Sequence, residues 1–333
     1  MSKLYVPRLP LQDLALAPAS MKSYNRSLSS FLSYTRLSPQ QFLSEPALSL
    51  DRRLAVYIQH SYDTSSPYTY AAHALHAVIF HRPDVKAFMF VSRQCIKGWE
   101  RVKKSMSYPP LTWELTVAIA CNMAQRGLHG PAVATLVAFD CYLRVGELTR
   151  IRLRDVVLPN DPRMGKAHSA MAVCLAQTKT GKNQSVALDR QSVCDVLKAW
   201  IHRCSHSAGG GNPFIFAFSP DYFRRAPHQS CSELGLSHCH YVPHSLRHGG
   251  ASADFLIHGS IERVQFRGRW KQMESLRTYV QSARALLAAQ DVPSALNELG
   301  MQLSDSLADV ISHFLTSVPE VTPHHRRRVA FQL

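Results

Sequence analysis

The sequence predicts a mainly helical fold with a small antiparallel sheet, an α+β class in which a helical domain precedes a larger second domain. Three observations lead there. Apolar residues recur at helical spacing over most of residues 21–104. That pattern breaks between Ser105 and Pro110, where Pro109-Pro110 marks a linker. Further on, two short runs, 170–176 and 184–188, flank Thr180-Gly181 as the arms of a hairpin would. The chain has 333 residues and is 46% hydrophobic, enough for two domains with real cores.

Residues 1–18 contain prolines and little pattern, and read as a loose arm. Tyr24, Leu28, Phe31 and Leu32 place a helix over 21–34. Leu54, Tyr57 and Ile58 place a second over 50–62. Ala71, Leu75, Val78 and Ile79 give a third over 69–81, stopped by Pro83. A fourth is expected over 84–104, with Arg93, Lys97, Arg101 and Lys104 on its polar face as candidate phosphate contacts. Any one of these cations also fits an ordinary solvated face. These helices form an expected domain over 19–107.

The second domain is expected over 108–292. Helices are predicted at 112–126 and 130–142, the latter delivering Arg144 near its end. A strand is expected at 153–158, and then the hairpin. Asp189 is a plausible N-cap for a helix over 190–203. Gly209-Gly210-Gly211 marks a loop, and helices recur at 220–233, 244–257, 260–267 and 273–289. Residues 293–333 are left for a C-terminal helix and a basic tail. There Leu303, Leu307, Val310, Ile311 and Phe314 share one face, ahead of Arg326-Arg327-Arg328.

Lys and Arg outnumber Asp and Glu by 38 to 23, a net charge of +15. This balance favours a polyanionic partner, nucleic acid before membrane. No apolar run of membrane-spanning length occurs, and the first residues lack the apolar stretch of a secretory signal. The eight cysteines have no framework spacing, which suits reduced thiols in an intracellular protein. Cys231, His238, Cys239 and His240 lack the regular spacing of a zinc site, so no metal is expected.

Two arginine-bearing segments and one tyrosine carry the chemistry. They are Arg144-Val145-Gly146-Glu147-Leu148, His244-Ser245-Leu246-Arg247-His248-Gly249, and Trp270 followed nine positions later by Tyr279. Two guanidinium groups can clamp one phosphate. A tyrosine can attack it and hold it covalently. His244, three residues before Arg247, shares its helical face and can move a proton. Glu147 can hold a cation in place, although an exposed pair at this spacing is worth only tenths of a kcal/mol. Pro243 suits a helix start, where the helix dipole favours phosphate. Trp270 can donate one N–H but no transferable proton. Lys179 at the hairpin tip, with Lys182 as its rival, can protonate a departing oxygen. His248 has no evident chemical role.

These boxes, in this order, resemble the tyrosine recombinase (phage integrase) family. The likeness is strong over 110–282 and looser over 15–108. It implies a helical, SAM-like core-binding domain that binds DNA, followed by a catalytic domain. It implies Arg144, Lys179, His244, Arg247, Trp270 and Tyr279 as the catalytic set, the Thr-Lys-Thr setting favouring Lys179 over Lys182. It implies attack on a DNA phosphate to leave a 3′-phosphotyrosyl link, without nucleotide cofactor or divalent ion. Double-stranded DNA is the implied partner, with four copies on two duplexes and a C-terminal helix docking on a neighbour. The stripe from Leu303 to Phe314 fits that dock and equally fits packing on its own domain. A nicking and resealing enzyme of the type IB topoisomerase kind shares the constellation. A catalytically silent DNA-binding protein derived from a mobile element is the reading from another class.

Overall fold

The computed structural model describes residues 15–103, 108–164, 168–178, 181–207, 211–280, 287, 290 and 292–321. Contacts divide the chain into two compact units that part between Met106 and Ser107. The first is built from α1 (Pro18–Thr35), α2 (Pro39–Ser44), α3 (Ala47–Asp63), α4 (Tyr68–His81) and α5 (Val91–Val102). Phe31, Leu54, Ile58, Leu75 and Val78, from the stripes that the sequence spacing marks out, meet in its core with Leu50. The short α2 went unforeseen. A capping box makes it, with Ser38 Oγ accepting from Gln41 N and Gln41 Oε1 from Ser38 N.

The continuous helix expected over 84–104 is instead two elements. Pro83–Phe88 is a 3₁₀ turn, and α5 starts afresh at Val91. The buried carboxylate of Asp51, on α3, sets this start. It accepts from the amides of Phe90, Val91 and Ser92 at 2.9–3.1 Å, and from Ser92 Oγ at 2.6 Å. A cap supplied by a residue 39 or more positions away leaves no trace in local periodicity. Arg93, Lys97 and Arg101 are exposed on α5, and Lys104 lies outside the described residues.

The second unit is organised around α6 (Trp113–Gln125) and α7 (His129–Asp140). Every residue of α7 is buried, as expected of a helix apolar on all sides. Strands β1 (Val156–Val157), β2 (Ala172–Gln177) and β3 (Lys182–Ala187) form one antiparallel sheet in that order. Val156 faces Val173, which faces Val186. The strand expected at 153–158 is mostly a 3₁₀ turn, Leu153–Asp155, with only two strand residues after it. Helices α8 (Val145–Leu148), α9 (Gln191–Ser207), α10 (Pro220–Glu233), α11 (Pro243–His258), α12 (Ile261–Gly268) and α13 (Met273–Arg277) complete the site-bearing part. Asp189 is not used as the expected cap; its carboxylate pairs with Arg263 and Arg267 on α12. The helix expected over 273–289 is described only as α13, and 281–286 lie outside the described residues.

The C-terminal stripe divides at Ser306 into two helices, Ser294–Asp305 and Leu307–Ser317. The second packs against α9 and α6 of its own unit, burying Leu307, Ile311 and Leu315. Arg203 on α9 donates to the Leu315 carbonyl and pairs with Glu320 at 3.4 Å. The stripe thus serves its own domain. Arg326, Arg327 and Arg328 lie outside the described residues. No helix among the described residues is long and apolar enough to cross a membrane.

Candidate active site

Three turns bring the reactive groups together. The first follows α7. Leu143 N bonds back to Ala138 O at 3.1 Å, a Schellman closure in which Tyr142 holds the left-handed position (φ 48°) where glycine is usual. This reversal starts α8, with Arg144 as its N-cap rather than at the end of the preceding helix, as the sequence suggested. Arg144 Nη1 donates to Glu147 Oε1 at 2.7 Å, and Arg144 N to Oε2 at 3.0 Å. Burial alone would raise the Glu147 carboxyl. The Arg144 amide, Arg269 and the Arg144 guanidinium outweigh it and hold the carboxyl below its usual range.

The second is the start of α11, where Pro243 fixes the first turn. His244 lies in that turn and Arg247 one turn on. Gly250 lets α11 press onto α7, since a Cβ there would sit 2.1 Å from the Phe139 carbonyl. Arg247 is fully buried. It donates to the Tyr142 carbonyl, and to the Gly268 carbonyl at 2.8 Å. Burial, then Arg144, pull its guanidinium down to about 9, so it keeps its charge at pH 7.

The third is the end of α12. Arg269 closes that helix in the left-handed region (φ 59°), which turns Trp270 inward. The Trp270 ring packs directly over Gly268, where a Cβ would clash with it. Arg247 Cζ lies 4.3 Å from the Trp270 ring centroid and 5.3 Å from that of Tyr279. Trp270 and Tyr279 ring centroids are 4.9 Å apart.

The phenol of Tyr279 therefore sits among the groups the sequence singled out. His244 Nε2 is 3.0 Å from Tyr279 Oη. Burial, then Arg247 and Arg144, lower the His244 pKa below 6.5, so its imidazole is neutral at pH 7. A neutral ring nitrogen at that distance can accept the phenolic proton. Two further donors, Arg247 Nε and Trp270 Nε1, are buried without a hydrogen-bond partner among the described residues. Buried unpaired N–H groups are costly, and two such donors, one of them on the Arg247 guanidinium itself, suit a site built for an anion.

Arg144, Glu147, His244, Arg247, Trp270 and Tyr279 thus gather in one place. Lys179 lies outside the described residues, and Lys182 is the exposed first residue of β3. Among the described residues no group of three or more His, Cys, Asp or Glu is placed to hold a metal ion. Sequence reasoning missed two contributors, Tyr142 and Arg269, and read His248 as structural. His248 stacks on Tyr279, with ring centroids 4.6 Å apart at 19°. Tyr142 supplies a carbonyl to Arg247. Arg269, 7% exposed, pairs with Glu147 at 3.1 Å across 122 residues of sequence. Its adjacency to Trp270 was the available signal.

A model described as the phage integrase family matches residues 119–285, half of the chain. The chain belongs to the phage integrase family. Among solved structures of the same fold is the XerH site-specific recombinase, bound to a palindromic difH substrate in a post-cleavage complex. It is 16% identical with a TM-score of 0.56, over 82% of this chain and 79% of that one. A lambda integrase dimer bound to a COC′ core site aligns with a TM-score of 0.55 at 13% identity, over 82% of this chain and 75% of that one. A lambda integrase tetramer bound to a Holliday junction aligns with the same score and identity, over 81% and 75%. No curated protein matches the chain. The matched segment runs from α6 to beyond Tyr279 and so contains every turn of the site.

Proposed function

We propose that this integrase-family chain is a site-specific DNA recombinase that cuts and rejoins DNA through a 3′-phosphotyrosyl intermediate. The observation that carries the reading is the 3.0 Å approach of His244 Nε2 to Tyr279 Oη beside a buried guanidinium. His244 takes the phenolic proton as the Tyr279 oxygen bonds to phosphorus. The bond from phosphorus to the 5′ oxygen breaks, and that oxygen leaves as a hydroxyl after receiving a proton from the hairpin lysine, Lys179 or Lys182. Arg144, Arg247 and the Trp270 N–H offset the charge that gathers on the non-bridging oxygens. The phosphotyrosyl bond keeps the energy of the broken one. Attack by the 5′-hydroxyl of a second duplex reverses the step without a nucleotide cofactor. The helical unit, with Arg93, Lys97 and Arg101, supplies sequence-independent phosphate contacts. The working assembly is four copies on two duplexes, wherever the host keeps its DNA.

The test is covalent capture. Purified chain is incubated with nicked duplexes of randomised sequence, and adducts that survive denaturation are sequenced and peptide-mapped. The expected result is an adduct on Tyr279, abolished in Tyr279→Phe while DNA binding persists. An adduct on another residue, or one formed equally by the Phe variant, ends the proposal. Supercoil relaxation without strand exchange would favour a nicking and resealing enzyme. Binding without any adduct would favour a silent DNA-binding protein.

A further inference from the structure

Arg269 is costly where it stands. A left-handed helix cap is the place for glycine, because a Cβ is strained there. Its guanidinium is also almost fully removed from water, with 4% of the side chain exposed. Burial lowers its pKa, and Glu147 is the first charge opposing that shift. Arg269 Nη2 donates to Glu147 Oε2 at 3.1 Å, and Nη1 to the Arg267 carbonyl at 3.1 Å. Glu147 in turn receives Arg144 at 2.7 Å through its other oxygen. One carboxylate thus lies between two guanidinium groups, one buried and one, Arg144, 23% exposed.

This arrangement does two things for the exposed partner. Glu147 is gripped by Arg269 through Oε2, the oxygen that the Arg144 guanidinium leaves to the Arg144 amide, so the carboxylate that orients Arg144 is itself fixed. The charge is also left in surplus. A lone Arg144–Glu147 pair would be neutral, whereas two cations sharing one anion keep a net positive charge for an approaching phosphate.

We propose that Arg269 is a positioning residue that acts on Arg144 through Glu147, keeping that arginine both aimed and uncompensated. The proposal rests on the phosphoryl-transfer reading above. Its test is a double-mutant cycle in single-turnover adduct formation, on a nicked duplex recovered by the covalent capture. Arg269→Gln should slow adduct formation about 10- to 100-fold with DNA affinity unchanged. Arg144→Ala should slow it about 100- to 1000-fold. The double variant should be no slower than Arg144→Ala alone, because the effect of Arg269 runs through Arg144. Arg269→Gly, which suits the left-handed cap, guards against loss of the fold, and millimolar guanidinium ion should restore part of its rate. Losses that multiply, or an Arg269→Gln variant as fast as wild type, overturn the role of Arg269 alone. A wild-type chain that forms no adduct overturns the phosphoryl-transfer reading, and this role with it.

Discussion

Arg144 and Arg247 serve one site from supports of opposite kind. Arg144 is partly exposed, sits at a helix N-cap and leans on a carboxylate that Arg269 shares. Arg247 is sealed inside and is held by two backbone carbonyls, those of Tyr142 and Gly268. Carbonyls orient a guanidinium without cancelling its charge; a carboxylate orients it and cancels part of that charge. The buried cation is thus the stronger electrostatic element and also a structural tie between α11, the turn after α7 and the end of α12. The exposed cation is the one whose charge depends on its neighbours.

This contrast can be broken first at its strongest point. Arg247→Ala should abolish detectable adduct formation and also lower thermal stability. It strands two buried carbonyls, at about 1–3 kcal/mol each. Arg144→Ala should slow adduct formation by about 100- to 1000-fold yet leave the melting temperature nearly unchanged, since Glu147 keeps Arg269. Equal losses of stability in the two variants, read by thermal denaturation, would erase the distinction. A smaller effect is expected from Gly250→Ala. Its Cβ would collide with the Phe139 carbonyl and the Tyr142 ring. Overpacking of this kind costs about 1–3 kcal/mol, and adduct formation should fall with the displaced Tyr142 carbonyl.

The smallest effect sharpens the comparison electrostatically. His244 senses both arginines, Arg247 more than Arg144, after burial. Its pKa is depressed, so the neutral form that accepts a proton is lost only as pH falls below 6.5. Adduct formation should therefore rise with pH through a limb below 6.5 and level off above it. Followed by NMR, the His244 ring should titrate higher in Arg247→Gln than in Arg144→Gln, and in both still below 6.5, because burial remains. A His244 that titrates at or above 6.5 in the unaltered chain contradicts the environment described.

Much of this was legible in the chain. The stripes Leu54, Tyr57, Ile58 and Ala71, Leu75, Val78 fixed α3 and α4, because core contacts obey the helical period. The hairpin was legible from its turn residues. The gathering of Arg144, His244, Arg247, Trp270 and Tyr279 was legible because the proposed chemistry demands scarce residue types in a set order. What escaped depends on distant partners. The start of α5 is decided by Asp51, far back in sequence, and the α8 turn by a tyrosine in a glycine-like conformation. Arg269 was given no role from the sequence, because only the fold brings Glu147 to it. The Leu303–Phe314 stripe was legible as apolar, but periodicity does not say which surface an apolar stripe meets.

That last feature sets a condition on assembly. Leu307, Ile311 and Leu315 are already spent against α6 and α9, and pulling them into water would cost about 2 kcal/mol apiece. Any trade of this helix between copies must therefore be a domain swap, in which the incoming segment refills the groove the outgoing one leaves. The balance then depends on the hinge at Ser306, which joins this helix to the one before it, and on local concentration, and a ring of copies on DNA would supply that concentration where free monomers would not.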